Sequence, residues 1–187
     1  MTARAFSRKV VCLALWLAQT LAVQCVWAQS AAPPESAVKA AFLFKFAAFI
    51  EWPPGTFQRA DQPLVIGISD DDDIADDLEQ LTRGRTAEGR PVSIRRVAEG
   101  SAAAGVHILF ISQRRDTRLK DAIDAVAGPV LIVTEQPGAL RLGSVINFTT
   151  ESGRVRFSAS LTSAEARNLK LSARLLAVAQ SIEGRVR

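Results

Sequence analysis

The sequence predicts an α/β fold, with a mixed, mostly parallel sheet of about six strands, a C-terminal β-hairpin and about five flanking helices. Short, continuous apolar runs at 63–69, 105–111 and 129–133 are typical of strands buried on both faces. Helical spacing of apolar residues separates these runs, which indicates the crossover connections of a parallel sheet. Two alternating segments around a glycine-containing turn then predict the hairpin.

The first 28 residues are predicted to be a secretion signal. Arg4, Arg8 and Lys9 precede a long apolar stretch at residues 10–27, and Val26-Trp27-Ala28 has small residues at the two key cleavage positions. We place the cleavage site after Ala28, and an uncleaved membrane anchor is the alternative. Residues 29–35 are a polar, proline-containing flexible leader, and residues 36–187 form one domain of ordinary size.

Cleavage after Ala28 leaves 159 of the 187 residues and changes the charge balance. The full chain has a net charge of +4, but three of its 23 basic residues lie in the signal, so the mature chain carries +1. This near-neutral charge does not favour a nucleic-acid partner. Both cysteines, Cys12 and Cys25, also lie in the signal. The mature chain therefore has no disulfide, cysteine nucleophile or thiolate metal site.

The first predicted helix is the most aromatic segment, with five aromatic side chains in the eleven residues 42–52. Ser36 is expected to cap it, and Pro53-Pro54-Gly55 to end it. The residues Phe42, Phe46 and Phe49 have helical spacing and are expected in the core. Phe44 does not fit that stripe. For Phe44 and Trp52, core packing and partner contact both remain open.

The elements that follow alternate between strand and helix. An acidic run, Asp70–Asp73, opens a helix that closes at Gly84, because carboxylates suit the positive end of a helix dipole. A helix at 115–127 turns Leu119, Ile123 and Val126 inward. Three more strands are predicted at 91–97, 105–111 and 129–133.

The C-terminal third begins with the predicted hairpin, at 144–149 and 154–158, with a turn through Glu151-Ser152-Gly153. The spacing from Thr162 to Glu165 is that of a capping box, which predicts a helix start. Asn168 tolerates a left-handed conformation and is expected to end that helix. Ser172 is expected to cap a last helix carrying Leu175, Leu176, Val178 and Ala179.

Few residues suit catalysis. Asp70–Asp73 follow a buried strand, as the carboxylates of a phosphate-accepting receiver domain do, but the later strands end in Ser112 and Glu135, so that set is incomplete. A weak Ca²⁺ or Mg²⁺ site and a solvated helix start are the other interpretations. His107, the sole histidine, is expected in the core. We assign no catalytic, cofactor-binding or metal-ligating residue.

Five arginines surround one loop and one predicted strand at the edge of the sheet: Arg83, Arg85, Arg90, Arg95 and Arg96. They could meet an acidic partner. Alternatively, they form a solvated face that protects the edge strand from unwanted pairing.

Five segments, in order, resemble the YfiR-like family of periplasmic proteins. They are Lys39–Pro53, Val106–Ser112, Ser144–Phe148, Val155–Phe157 and Leu169–Leu176. The resemblance runs from about Ser36 to Ala179. Each motif is ordinary alone, and the ordered set is fairly specific.

The resemblance implies a periplasmic, non-enzymatic repressor without a cofactor, which binds the periplasmic part of an inner-membrane diguanylate cyclase and so controls cyclic di-GMP. It also implies an outer-membrane-associated sequestering protein and a homodimer. A membrane sensor kinase is an alternative partner. The family's known repressor has stabilising disulfides, which this mature chain cannot form.

The family's contact surface is thought to lie in the C-terminal third. The resemblance therefore implies Phe157 as an apolar anchor, Leu171 at the rim, and charge complementarity from Glu165, Lys170 and Arg174. The plainer roles are a core position for Phe157 and a capping-box position for Glu165.

Two other functions remain open at this stage. One is a small-ligand-binding periplasmic protein that feeds a membrane sensor kinase, and the resemblance implies small aromatic molecules as ligands. The other is a metal-assisted hydrolase, for which Asp70, Asp71 and His107 are the best candidate residues.

Overall fold

The computed structural model describes residues 32–98, 103–112 and 116–184. The predicted signal at 1–28 lies outside them. The helices in the described parts are α1 (Glu35–Phe46), α2 (Asp72–Thr82), α3 (Asp116–Asp124), α4 (Leu161–Ala166) and α5 (Ala173–Val178). Short 3-10 turns cover Ala47–Phe49 and Ala139–Leu142. None of the described helices is long and apolar enough to cross a membrane.

The strands are β1 (Ile50–Glu51), β2 (Leu64–Ser69), β3 (Thr86–Ala87), β4 (Arg90–Arg96), β5 (Ile108–Ile111), β6 (Leu131–Thr134), β7 (Ile146–Glu151), β8 (Arg154–Ser160), β9 (Lys170–Leu171) and β10 (Ser181–Glu183). Eight of them form a mixed sheet in the order β10-β8-β7-β6-β5-β2-β4-β3. Among the strand pairs that the structure describes in this sheet, only β7–β8 and β3–β4 are antiparallel. The predicted fold class and all six predicted strands are confirmed, and the sheet gains β3 and β10 at its edges.

The sheet is buried on both faces because alternate residues of its central strands enter different apolar clusters. Leu64, Ile66 and Ile68 of β2 pack with α1 and α2. Val65 of the same strand packs with α3 on the opposite face. This two-sided burial explains why the central strands are continuous apolar runs in the sequence.

The first helix is shorter than predicted. Pro34 takes the N-cap position without a side-chain hydrogen bond, so the expectation that Ser36 caps the helix is wrong. The α-helix ends at Phe46, and Ile50 and Glu51 form β1, which pairs with β9 in an antiparallel two-stranded ladder. Local periodicity could not predict this ending, since the partner strand lies some 120 residues further along the chain.

The hairpin turn has the predicted chemistry. Ser152 and Gly153 have φ values of 50° and 72°, and they join β7 to β8 with Glu151 opposite Arg154. Two successive residues with positive φ match the twist of the flanking strands, as in a type I′ turn.

The last two helices begin at serine caps. Ser160, not Thr162, caps α4 by accepting a hydrogen bond from Ser163 N, so the predicted capping box is wrong. Ser172 caps α5 through Leu175 N, as predicted. Asn168 follows α4 with a φ of 57°, which confirms its left-handed conformation.

Candidate functional site

Polar residues gather where the parallel strands β2, β5 and β6 end side by side. Asp70 follows β2, Ser112 follows β5 and Glu135 follows β6. The strand order β4-β2-β5-β6-β7 is that of a doubly wound sheet, whose ligands commonly bind at this edge. The geometry of this edge therefore decides whether it can hold a ligand.

The ammonium group of Lys39, on α1, lies at this edge of the sheet and is paired with two carboxylates. Its ammonium donates to Glu135 Oε2 at 2.6 Å and pairs with Glu35 Oε1 at 2.6 Å. The Ser112 hydroxyl donates to Glu135 Oε1 at 3.1 Å. Burial acts to lower the pKa of Lys39, but the hydrogen bonds with Glu135 and Glu35 outweigh it, and the pKa is raised. The arrangement anchors α1 to the sheet.

The acidic run starts α2, as the plain interpretation expected. Asp71 is the N-cap and accepts from Ile74 N at 2.9 Å, and burial raises the pKa of its carboxyl group. Arg96 of β4 pairs with Asp72, Asp76 and Glu79 along α2. Within the described ranges, no group of three or more His, Cys, Asp or Glu residues could hold a metal ion.

His107 is a buried core histidine, as predicted. Its Nδ1 accepts the Val65 N–H at 3.1 Å, and its ring stacks on Phe57 at 4.5 Å between centroids. Burial lowers its pKa, and the charges of Arg90 and Arg95 lower it further. A neutral imidazole held in this way serves packing.

Phe44 and Trp52, for which core packing and partner contact were both open, pack against the core. Phe44 and Trp52 are partly buried against the main core cluster, together with Phe42 and Phe49. The Trp52 indole meets Phe57 edge-on at 5.9 Å, and its buried Nε1 has no acceptor in the described part of the chain.

Three of the five grouped arginines are used inside the domain. Arg90 donates to the carbonyls of Arg59 and Ala60, and its guanidinium lies 4.1 Å from the Phe57 ring centroid. Arg95 donates to Ala104 O at 2.7 Å. Arg96 forms the ion pairs with the three carboxylates of α2 described above. The other two arginines, Arg83 and Arg85, are exposed. Contacts within the domain therefore account for three of the five arginines.

Phe157 has the core position that was its plainer role. It is 2% exposed, and its ring meets those of Phe46 and Phe42 edge-on at 5.2 and 5.7 Å. The side chain therefore supports α1 and is not part of the surface.

The other four predicted contact residues lie on consecutive short elements near the C-terminus. Glu165 on α4, Lys170 on β9 and Arg174 on α5 are exposed, and Leu171 is half-buried with Ile50 opposite it. We call these four residues the C-terminal surface. Glu165 is free of the capping role because Ser160 caps α4.

Two exposed apolar residues, on α5 and on β10, were not predicted from the sequence. Val178 at the end of α5 is 68% exposed, and Ile182 of β10 is 39% exposed. Val178 was grouped with Leu175 and Leu176 as one helix pattern, but a six-residue helix cannot bury all four apolar residues of that pattern.

Comparison with known proteins adds one match. Residues 36–180 match the model of a family described as YfiR/HmsC-like. No curated protein matches the chain.

Proposed function

Since the chain belongs to the YfiR/HmsC-like family of periplasmic regulators, we propose that it represses an inner-membrane diguanylate cyclase by binding the periplasmic part of that enzyme. The observation that carries this proposal is the family match, which spans residues 36–180 and so includes both the sheet and the C-terminal surface. On this proposal the protein works by contact and catalyses no reaction.

The C-terminal surface is the proposed contact. It presents one exposed carboxylate, Glu165, and two exposed cations, Lys170 and Arg174. The exposed apolar residues are Val178, four positions after Arg174 on α5, and Ile182 on β10. Exposed apolar side chains bordered by charges are typical of protein interaction sites. The apolar residues would supply affinity, and the charges would select the partner and its orientation.

Repression would follow from a population shift in the cyclase. A repressor that binds the inactive conformation more tightly stabilises that conformation by the difference in binding free energy. An outer-membrane-associated protein that binds the repressor would remove it and release the cyclase. A homodimer would present the C-terminal surface twice to a dimeric partner, which raises the effective affinity.

A complementation experiment tests the proposal. Deletion of the gene should raise cyclic di-GMP, and the wild-type gene should restore the lower level. The double variant Lys170→Glu with Arg174→Glu should fail to restore it, because two cations of the proposed contact become anions. The matched control, Arg83→Glu with Arg85→Glu, reverses two exposed cations outside that surface and should restore repression.

Capture of the partner separates the remaining possibilities. Crosslinking in intact cells, followed by pull-down, should recover a membrane protein with a cyclase domain. Recovery of a sensor kinase, together with unchanged cyclic di-GMP in the deletion strain, would contradict the cyclase assignment.

A further inference from the structure

A cavity of about 450 Å³ opens between α3, the 3-10 turn at Ala139–Leu142 and α4. Its lining includes neither Lys39 nor any residue of the C-terminal surface, although Glu165 of that surface lies on the same helix, α4. Three cations line it, Lys120, Arg141 and Arg167, against one carboxylate, Asp124, which already pairs with Lys120. The two guanidinium groups therefore give the cavity an excess of positive charge.

Arg167 brings several unused donors to this cavity. Its Nη1 donates to Val126 O at 3.1 Å and its Nη2 to Ile123 O at 3.0 Å, which satisfies carbonyls at the end of α3. An arginine has five N–H donors, so about three remain without an acceptor in the described part of the chain. Burial lowers the pKa of this guanidinium, and the charge of Asp124 opposes that shift.

Arg141 faces the cavity from the 3-10 turn. Its guanidinium lies over Gly138, where a Cβ atom would come within 2.9 Å of Nη2. In the part of the chain that the structure describes, this guanidinium forms no ion pair or side-chain hydrogen bond. The hydroxyls of Thr162 and Ser163 and the glycine backbone at Gly143 complete the lining on the remaining sides.

We propose that this cavity binds the oxyanion of a small molecule, either a phosphate or a carboxylate group. Guanidinium groups bind both through paired N–H donors that match two oxygens of the anion. Hydroxyl donors can complete the contacts. The volume is within the range of small-molecule sites. The site shares no residue with the proposed repressor contact, and the proposal does not depend on that contact.

A titration of the purified protein followed by NMR tests the proposal. Inorganic phosphate and succinate would be added separately at constant ionic strength, with chloride as the balancing anion. We expect saturable shifts of the Gly128, Gly143 and Ser163 amides with at least one of the two anions. Saturation by phosphate alone, or by succinate alone, would identify the class of ligand.

Charge-matched variants make the test specific. Arg141→Gln should weaken binding about tenfold or more, because it removes a charged pair of donors. Arg141→Lys keeps the charge without the paired geometry and should be intermediate. Arg59→Gln, which removes an exposed arginine paired with Asp61 elsewhere, should bind like the wild type.

Two results would overturn the proposal. One is a linear, unsaturated response to both anions. The other is equal affinity in Arg141→Gln and Arg59→Gln, which would indicate an adventitious ion only. Unchanged unfolding temperatures of both variants would exclude misfolding as the cause of any loss.

Discussion

At the scale of single residues, Lys39 forms the ion pair with Glu135 that joins α1 to the sheet. Its side chain is 12% exposed and Glu135 is 15% exposed, so both charges of this pair are largely removed from water. Such a pair is costly to break, because either partner alone is left as an uncompensated, poorly solvated charge. The ammonium is also the link between α1 and the ends of β5 and β6.

We predict that Lys39→Met lowers the free energy of unfolding by about 2–3 kcal/mol, because it strands the carboxylate of Glu135. Lys45→Met removes an exposed lysine from the same helix and should change stability by no more than about 0.5 kcal/mol. Urea unfolding measures both. Adding Glu135→Gln to Lys39→Met should recover part of the loss, and a further loss would contradict this account.

Asp71 gives a pH-dependent prediction, because burial raises the pKa of its carboxyl group. A raised folded-state pKa means that the folded protein holds the proton more tightly, so stability falls as pH rises through that pKa. Asp71→Asn keeps a good N-cap but cannot ionise. Its stability relative to the wild type should therefore improve as pH rises through the acid range and then level off, by less than about 1 kcal/mol in total.

Unfolding midpoints of both proteins, measured between acidic and neutral pH, check the Asp71 prediction. Asp121→Asn, on α3, provides a carboxylate-to-amide control at an exposed position. A relative stability of Asp71→Asn that falls with rising pH would have the wrong sign.

At the scale of secondary-structure elements, β2 depends on a residue without a side chain. Gly67 faces the α3 side of the sheet, where a Cβ atom would lie 3.0 Å from Val106 Cγ1 and 3.1 Å from Leu109 Cδ1. The neighbouring strand positions, Ile66 and Ile68, fill the opposite face. The glycine therefore allows the side chains of the adjacent β5 region to pack over the strand.

We predict that Gly67→Ala destabilises the protein by about 1–3 kcal/mol through overpacking, although alanine is otherwise favoured over glycine in a strand. Val106→Ala should cost stability alone by creating space. The double variant should be more stable than the sum of the two effects predicts, since the new methyl group fills that space. Simple additivity of the two changes in unfolding free energy would contradict the packing explanation.

The elements that could be predicted were those whose pattern is complete within one segment. Two-sided burial marks β2, β5 and β6, and the Ser152-Gly153 turn marks the hairpin. The elements that could not be predicted depend on distant partners. Residues Ile50 and Glu51 form β1 only because Lys170 and Leu171 pair with them, and β10 forms only by adding to β8.

At the scale of the whole molecule, local patterns predicted parts of the core but not the candidate surface, which depends on distant parts of the chain. Helical spacing placed Phe46 in the core correctly. Alternation in β8 could not show whether Phe157 faces outward or toward α1, because that depends on where the helix docks. The exposure of Val178 likewise depends on how the last short elements cover the sheet, which no local pattern records.

The predicted cleavage of the signal implies that the stability of the mature protein does not depend on a disulfide. If cleavage occurs after Ala28, the mature protein begins at Gln29 and contains no cysteine. Its unfolding temperature should then be the same with and without a thiol reductant, because no disulfide stabilises it. The intact mass and N-terminal sequence of the periplasmic protein check the cleavage site. Two titratable thiols would instead indicate that the signal is retained.

The contacts of Phe157 with Phe42 and Phe46 have a consequence for the timing of folding. The rings that meet are 115 and 111 positions apart in the chain, and β1 likewise waits for β9. Contacts of such long range slow folding, since a large loop must close before they form. The helix α1 can pack on β2 and α2 earlier, but the Phe42 and Phe46 rings gain their contacts with Phe157 only when the last third of the polypeptide is available. We therefore expect the aromatic contacts between α1 and β8 to form late in folding, after α1, β2 and α2 have packed together.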